Sequence, residues 1–339
     1  MKRLIVILLI SLTTLPAVAS DGKKNILVKF RDWREQSMLA NVDTSYIGLP
    51  KYSWQAGIDN TLFNSSTSTF HVGDDGSQGV VRGVTYDLNT GFSDKISASV
   101  HFRGLGIGYG FNLQDRDETR FSIGLNGNTY GINLKINNYE QTNGRYRVTY
   151  ADGRMQYGII KPNDVVVSNL SLSGYYVFNH KTFAYNAVTN CSLIQKKSAG
   201  SPIIGAEYLV SSLKPNFGEG IDFFPFTDYQ GQIRIAGGYA YNFVFADQHI
   251  VLHAKLLVSP LSYSYYYVYK ENKEIKDYTA REFGFQLSLS SALGLHYSIN
   301  DRFFVGIYTT DEYTSVSHNK VTTFKVNDLQ AHVYFGVRF

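Results

Sequence analysis

The chain has 339 residues, a formal net charge of +4 and one cysteine. So small a charge, with no basic cluster, gives no footing for nucleic acid, and a single cysteine excludes an internal disulfide framework. Aromatic residues make up 15% of the chain, with 26 Tyr and 22 Phe against 7 Pro. That excess suits the interfacial girdles of a membrane barrel, and a mean hydropathy of -0.17 suits a barrel with a polar lumen.

Met1-Lys2-Arg3, an apolar run from Leu4 to Leu15 and Ala17-Val18-Ala19 read as a secretory signal peptide over residues 1–19. Ser20 stands where a lipoprotein would carry cysteine. Residues 20–51 form an N-terminal periplasmic segment, in which Ile26-Leu27-Val28 and Phe30 to Glu35 suggest a short amphipathic helix, free in the periplasm or tucked into a barrel mouth. No later run approaches the roughly 18 to 20 apolar residues of a membrane helix.

From Tyr52 onward the period is two. The expected strands are 52–64, 78–88, 94–112, 118–138, 165–178, 182–194, 201–211, 231–244, 248–268, 279–298, 302–312 and 328–339, about 12 within a range of about 10 to 14, an even count suiting a bacterial barrel. Asn126-Gly127 offers a place to split 118–138, and 78–88 could be loop. The alternation changes phase at Ser259-Pro260 and at Arg103-Gly104, which predicts a β-bulge at each. Counting direction from the C-terminus places the long 139–164 segment on the periplasmic side. Cys191 falls in a strand-like run, Tyr185 to Ile194, and reads as a buried structural thiol.

The last strand alternates without a break. Leu329, Ala331, Val333, Phe335, Val337 and Phe339 share one parity, and Gln330, His332, Gly336 and Arg338 the other. Val333, Phe335, Val337 and Phe339 are the expected barrel-closing, lipid-facing set, and a terminal Phe is what the barrel-insertion machinery reads. The polar parity carries Arg103, Glu207, Arg234, His253, Lys255, Glu282, His296 and Arg338. Lys or Arg facing lipid at the midplane would cost roughly 2 to 4 kcal/mol each, so these groups are assigned to the lumen. Lys255 is expected to pair with an acid such as Glu282.

Four strings carry a resemblance. They are Val42-Asp43-Thr44-Ser45-Tyr46-Ile47; Phe102-Arg103-Gly104-Leu105-Gly106-Ile107-Gly108-Tyr109-Gly110; Gly174-Tyr175-Tyr176-Val177-Phe178-Asn179 through to Gln195-Lys196-Lys197-Ser198-Ala199-Gly200-Ser201; and Gly237-Gly238-Tyr239-Ala240-Tyr241-Asn242. The chain resembles the uncharacterised secreted Bacteroidota proteins grouped as domain of unknown function 4421, over roughly residues 25 to 339. The resemblance implies a secreted outer-membrane barrel and no assigned activity.

Chemical motifs are absent. Gly104, Gly106, Gly108 and Gly110 have a strict spacing of two, so they line a strand face and make no dinucleotide loop. His101, His249, His253, His296 and His332 fall on the polar parity and are assigned to the lumen, whereas a lipid hydrolase needs its histidine facing lipid. His249 and His253 stand roughly 13 Å apart along a strand, too far for one metal ion. The sequence therefore predicts an all-β, antiparallel up-and-down transmembrane β-barrel over 52–339 in the outer membrane of a Gram-negative bacterium. Its expected role is non-enzymatic and uses no cofactor or metal: structural, surface-binding, or a scaffold for an envelope partner. A small passive channel for polar solutes is the alternative, ahead of a lipid hydrolase or a soluble β-sandwich adhesin. Outer-membrane lipid and the barrel-insertion machinery are the expected partners.

Overall fold

Period-two alternation becomes wall. The computed structural model describes residues 26–71, 81–114, 118–150, 152–162, 164–215, 226–270, 273–274, 280–318 and 322–339; the signal-peptide reading of 1–19 lies outside them. Twelve strands form the wall: β1 (Trp54–His71), β2 (Ser93–Phe102), β3 (Leu105–Asn112), β4 (Thr119–Asn126), β5 (Tyr130–Gln141), β6 (Val165–Val177), β7 (Ala199–Pro215), β8 (Phe226–Phe245), β9 (Ile250–Lys270), β10 (Ala280–Ser298), β11 (Phe303–His318) and β12 (Thr322–Arg338). Each is antiparallel to the next. β12 pairs with β1 from Thr322↔His71 to Arg338↔Gln55, so the barrel wall is closed.

The two wall faces differ as the alternation requires. On β10, Phe283, Phe285, Leu293, Leu295 and Tyr297 are exposed, Phe285 by 78%, while Gln286, Ser288, Ala292 and His296 are buried. The same inversion, apolar side chains outside and polar ones inside, runs around the barrel through Ile58, Ile132, Ile204, Ile235 and Val333. In water such a surface would aggregate; in lipid it is the favourable one.

The count of twelve hides compensating corrections. The 94–112 and 118–138 segments are each a hairpin, β2–β3 and β4–β5. Arg103-Gly104 is therefore a turn and no bulge, with both residues in the left-handed region (φ 44° and 81°). The phase change at Ser259-Pro260 is a bulge, where the β9–β10 register shifts between Ser259 and Leu261. The 182–194 segment is no wall strand; it holds a helical turn at Asn186–Thr189 and a left-handed Cys191 (φ 57°). The 78–88 segment contributes Val81–Asn89, which belongs to a flap. Splitting two segments and removing two restores the number, and dropping 182–194 reverses the direction counted for 165–178. Residues 139–164 thus lie at the end opposite Phe339, among the long loops.

The flap completes a low part of the wall. β2, β3 and β4 are 10, 8 and 8 residues long, against 16 to 21 for β7 to β12. Above this short side Val81–Asn89 pairs with the upper part of β1 and with Asn143–Tyr150, which pairs with Met155–Ile160. Tyr86, Leu88, Tyr146, Val148 and Ile160 of the flap pack on inward-facing Phe63, Tyr139, Val165 and Val167. That apolar cluster stands where a polar lumen would otherwise continue.

Candidate functional site: a plugged lumen

The end that carries the short turns is filled from within. The connection between β6 and β7, residues 178–198, folds back into the barrel, and its Ile194-Gln195 pairs with Ile47-Gly48 of the N-terminal segment. Beneath them lies helix α1 (Ile26–Leu39). Met38, Ile47, Ala184, Ala187 and Leu193 form one buried cluster; Phe183 joins wall residues Val177, Ala199, Ile203 and Ala240 in another.

An irregular backbone inside a barrel must satisfy its polar groups, and buried amides do so here. Gln195 Oε1 accepts from Ala184 N at 2.7 Å and Asn242 Nδ2 at 3.1 Å, while its Nε2 donates to Thr182 O at 2.7 Å. Asn242 also donates to Ala184 O at 2.8 Å, and its Oδ1 lies 2.7 Å from His253 Nδ1. Asn186 donates to Gly127 O at 2.7 Å; Gln55 donates to Asn190 O and Asn128 to His180 O. α1 is latched to the rim: Arg34 donates to Arg103 O at 2.9 Å, and Arg103 pairs with Glu35 at 2.7 Å while donating to Pro50 O.

Cys191 sits at the plug–wall contact. Its Sγ lies 3.5 Å from His296 Nδ1, which is 3.1 Å from Tyr334 Oη, and Arg338 stacks over Phe304 at 4.4 Å beside them. Burial pushes the thiol up to about 11, against the opposing pull of the Arg338 charge. A thiol held protonated is a poor nucleophile, so the Cys–His contact is packing.

Above the plug lies a chamber of about 540 Å³ lined by charged, amide, hydroxyl and tyrosine side chains. Arg234 donates to Glu207 at 2.8 Å and to Thr314 at 2.9 Å and lies 3.6 Å from Glu312; Glu207 also accepts from Ser171 at 2.6 Å. His332 lies 3.1 Å from Asp59. Lys95 and Glu118 pair at 3.1 Å, both almost fully buried, with Lys95 Nζ also over the Phe63 ring at 4.6 Å. Arg120, Lys135 and Lys255 line the same chamber without an ion pair among the described residues. Gly106, Gly108 and Gly110 face inward, where a Cβ would overlap His101, Ser122 and Ser97.

The expected site residues divide by height and role. Glu207, Arg234 and Lys255 line the chamber, while His253, His296 and Arg338 are buried against the plug. Arg103 is corrected: it lies in a turn and holds α1. His249 is also corrected, standing exposed in the β8–β9 turn with Nδ1 2.7 Å from Ser298 O. Glu282 is half-buried on the inward parity but opposes Ser264, whereas Lys255 opposes Ala292. Roughly 30 Å of strand separates the expected pair, so they do not meet. Val333 and Phe335 face outward, with the Phe335 ring on Phe303 at 6.1 Å. Val337 and Phe339 are half-exposed, and Phe339 and Trp54 exchange backbone hydrogen bonds of 2.9 and 3.2 Å. Asn186 escapes sequence reading because it sits inside the expected 182–194 strand, and Gln195 because it falls in the connection after it, although Asn179, Asn186, Asn190 and Gln195 in one short stretch are a usable signal. Among the described residues no group of three His, Cys, Asp or Glu is placed to hold a metal.

A family model described as Domain of unknown function (DUF4421) matches residues 41–339. The chain belongs to that family. No curated protein matches it. Among solved structures it is similar to the outer membrane protease OmpT from Escherichia coli, at 10% identity and TM-score 0.42 over 86% of this chain and 97% of that one. It is also similar to the beta domain of the Bordetella autotransporter BrkA, at 10% identity and TM-score 0.37 over 84% and 99%. The translocator domain of autotransporter NalP from Neisseria meningitidis follows at 11% identity and TM-score 0.33 over 92% and 95%. No activity passes from these likenesses to this chain; the fold stands on its own strand pairing, that of an outer-membrane β-barrel.

Proposed function

We propose that this DUF4421 member is a non-conducting, non-enzymatic outer-membrane scaffold whose lumen is occupied by its own plug. Short turns face the periplasm in outer-membrane barrels. On that rule α1 and the plug lie on the periplasmic side, and the flap and long loops face outward, where a surface-binding role would reside. The observation that carries the reading is the seating of 178–198 inside the barrel by buried amide hydrogen bonds to the wall. A mobile gate would not have its backbone satisfied from so many wall side chains.

Planar-bilayer recording tests it. Wild-type protein is expected to give no steady conductance, while replacing residues 180–196 with a short Gly-Ser linker gives discrete steps. A second reading, a path for polar solutes, is favoured by Arg120, Lys135 and Lys255, which face the chamber without an ion pair among the described residues. Steady wild-type conductance whose ion preference shifts towards cations in Lys255→Glu would replace the first reading with that one.

A further inference from the structure

Helix α1 does not stay beneath the lumen. In its C-terminal half Arg34 is buried on the rim carbonyls and Met38 in the plug cluster, while Gln36 and Ser37 are exposed. Its N-terminal half reaches the outside of the wall. Phe30 stacks on Phe102 with ring centroids 5.8 Å apart and planes 18° apart, and Phe102 packs on Trp54 at 4.7 Å. Phe102 stands on the lipid-facing parity of β2: it is paired with Trp54, in line with Ala98 opposite exposed Ile58, while neighbouring His101 faces the chamber.

Phe30 and Trp33 are thus displayed beside the apolar band, 38% and 55% exposed, with their rings 5.6 Å apart. Exposed Lys29 lies next to them, and Arg31 is paired with Asp32 at 2.9 Å. Trp beside basic residues is the composition of a helix lying in a membrane interface, the ring in the headgroup–acyl boundary and the charges in the headgroups. We propose that the N-terminal half of α1 is a lipid anchor, with Phe30 and Trp33 inserted at the headgroup boundary of the leaflet on the short-turn side, so that α1 ties the plug to the bilayer. The occupant is phospholipid, because Phe30 and Trp33 join the outward parity of the wall at Phe102, where exposed Ile58 of β1 and Ile107 of β3 follow on the same face.

The chain has two tryptophans, Trp33 and Trp54. The Trp54→Phe full-length protein, reconstituted in phosphatidylcholine vesicles and excited at the red edge where tyrosine does not absorb, leaves Trp33 as the only tryptophan emitter. Its emission should be blue-shifted relative to the urea-unfolded chain, and quenched more by lipid brominated near the headgroup than near the chain end. The Trp33→Phe protein, reporting from Trp54 on the wall, verifies insertion in the same vesicles. Unquenched Trp33 beside quenched Trp54 would overturn the anchor and leave the aromatic face to a soluble partner. Stronger quenching of Trp33 by deep bromine would overturn its placement at the boundary. Absence of quenching in both proteins would remove the membrane reading along with the anchor.

Discussion

Gly237 and Gly238 are neighbours on β8 and face opposite ways, where the β8–β9 register shifts between Arg234 and Gly237. A Cβ on Gly238 would overlap the Leu256 carbonyl oxygen of β9, while a Cβ on Gly237 meets nothing within 4 Å. Gly238→Ala should therefore destabilise the barrel by about 1–3 kcal/mol, the usual cost of overpacking, and Gly237→Ala should leave it near wild type. Urea unfolding in vesicles, followed by the mobility difference between boiled and unboiled samples, separates the two. The Lys95–Glu118 pair makes a second contrast. Both side chains are buried, 5% and 0% exposed. Glu118→Ala strands the ammonium and should cost about 3–5 kcal/mol, whereas Lys95→Met combined with Glu118→Leu should recover most of that loss. A double variant no better than Glu118→Ala in the same assay would show that the charge is not the issue.

At the scale of elements, alternation was enough to read β6 to β12, because each buries one parity and gives the other to lipid. It failed where an element has no lipid face. The plug is apolar at Phe183, Ala184, Ala187, Val188 and Leu193, yet these side chains pack against protein and none faces lipid, so the pattern carries no period to recognise. The flap failed differently. Tyr86 and Leu88 do alternate on Val81–Asn89, but their hydrophobic face covers the lumen, and no local signal distinguishes that from a wall strand. Of the inward charges, parity gave the side; it could not give height, and height separates Lys255 from Glu282. The latch of α1 depends on Arg103, held at φ 44° in its turn and bonded to Glu35 and Pro50. Arg103→Ala removes charge-assisted hydrogen bonds worth about 1.5–3 kcal/mol each. Limited proteolysis should then cut between α1 and β1 faster than in wild type, with the barrel core still protected. Equal cutting rates would mean that Arg34 and the apolar contacts hold α1 without Arg103.

At the scale of the whole molecule, a closed twelve-strand wall, an amide-bonded plug and an apolar flap act together to occupy the lumen. The only cysteine, Cys191, lies buried at the contact between plug and wall, and it reports on that arrangement directly. Its thiol, raised by burial from 9.0 to about 11 in the folded chain, contributes stability that is fully present below about pH 9. That contribution is lost as pH rises from about 9 towards about 11, because the unfolded chain releases the proton first. The measurement is the rate at which a membrane-impermeant maleimide labels Cys191 in reconstituted wild-type protein at neutral pH, beside the same protein unfolded in urea. A seated plug predicts labelling slower than in the unfolded chain by orders of magnitude, and by a similar factor when reagent is applied from either side of the membrane. Fast labelling of the folded protein from the short-turn side would contradict the plugged lumen.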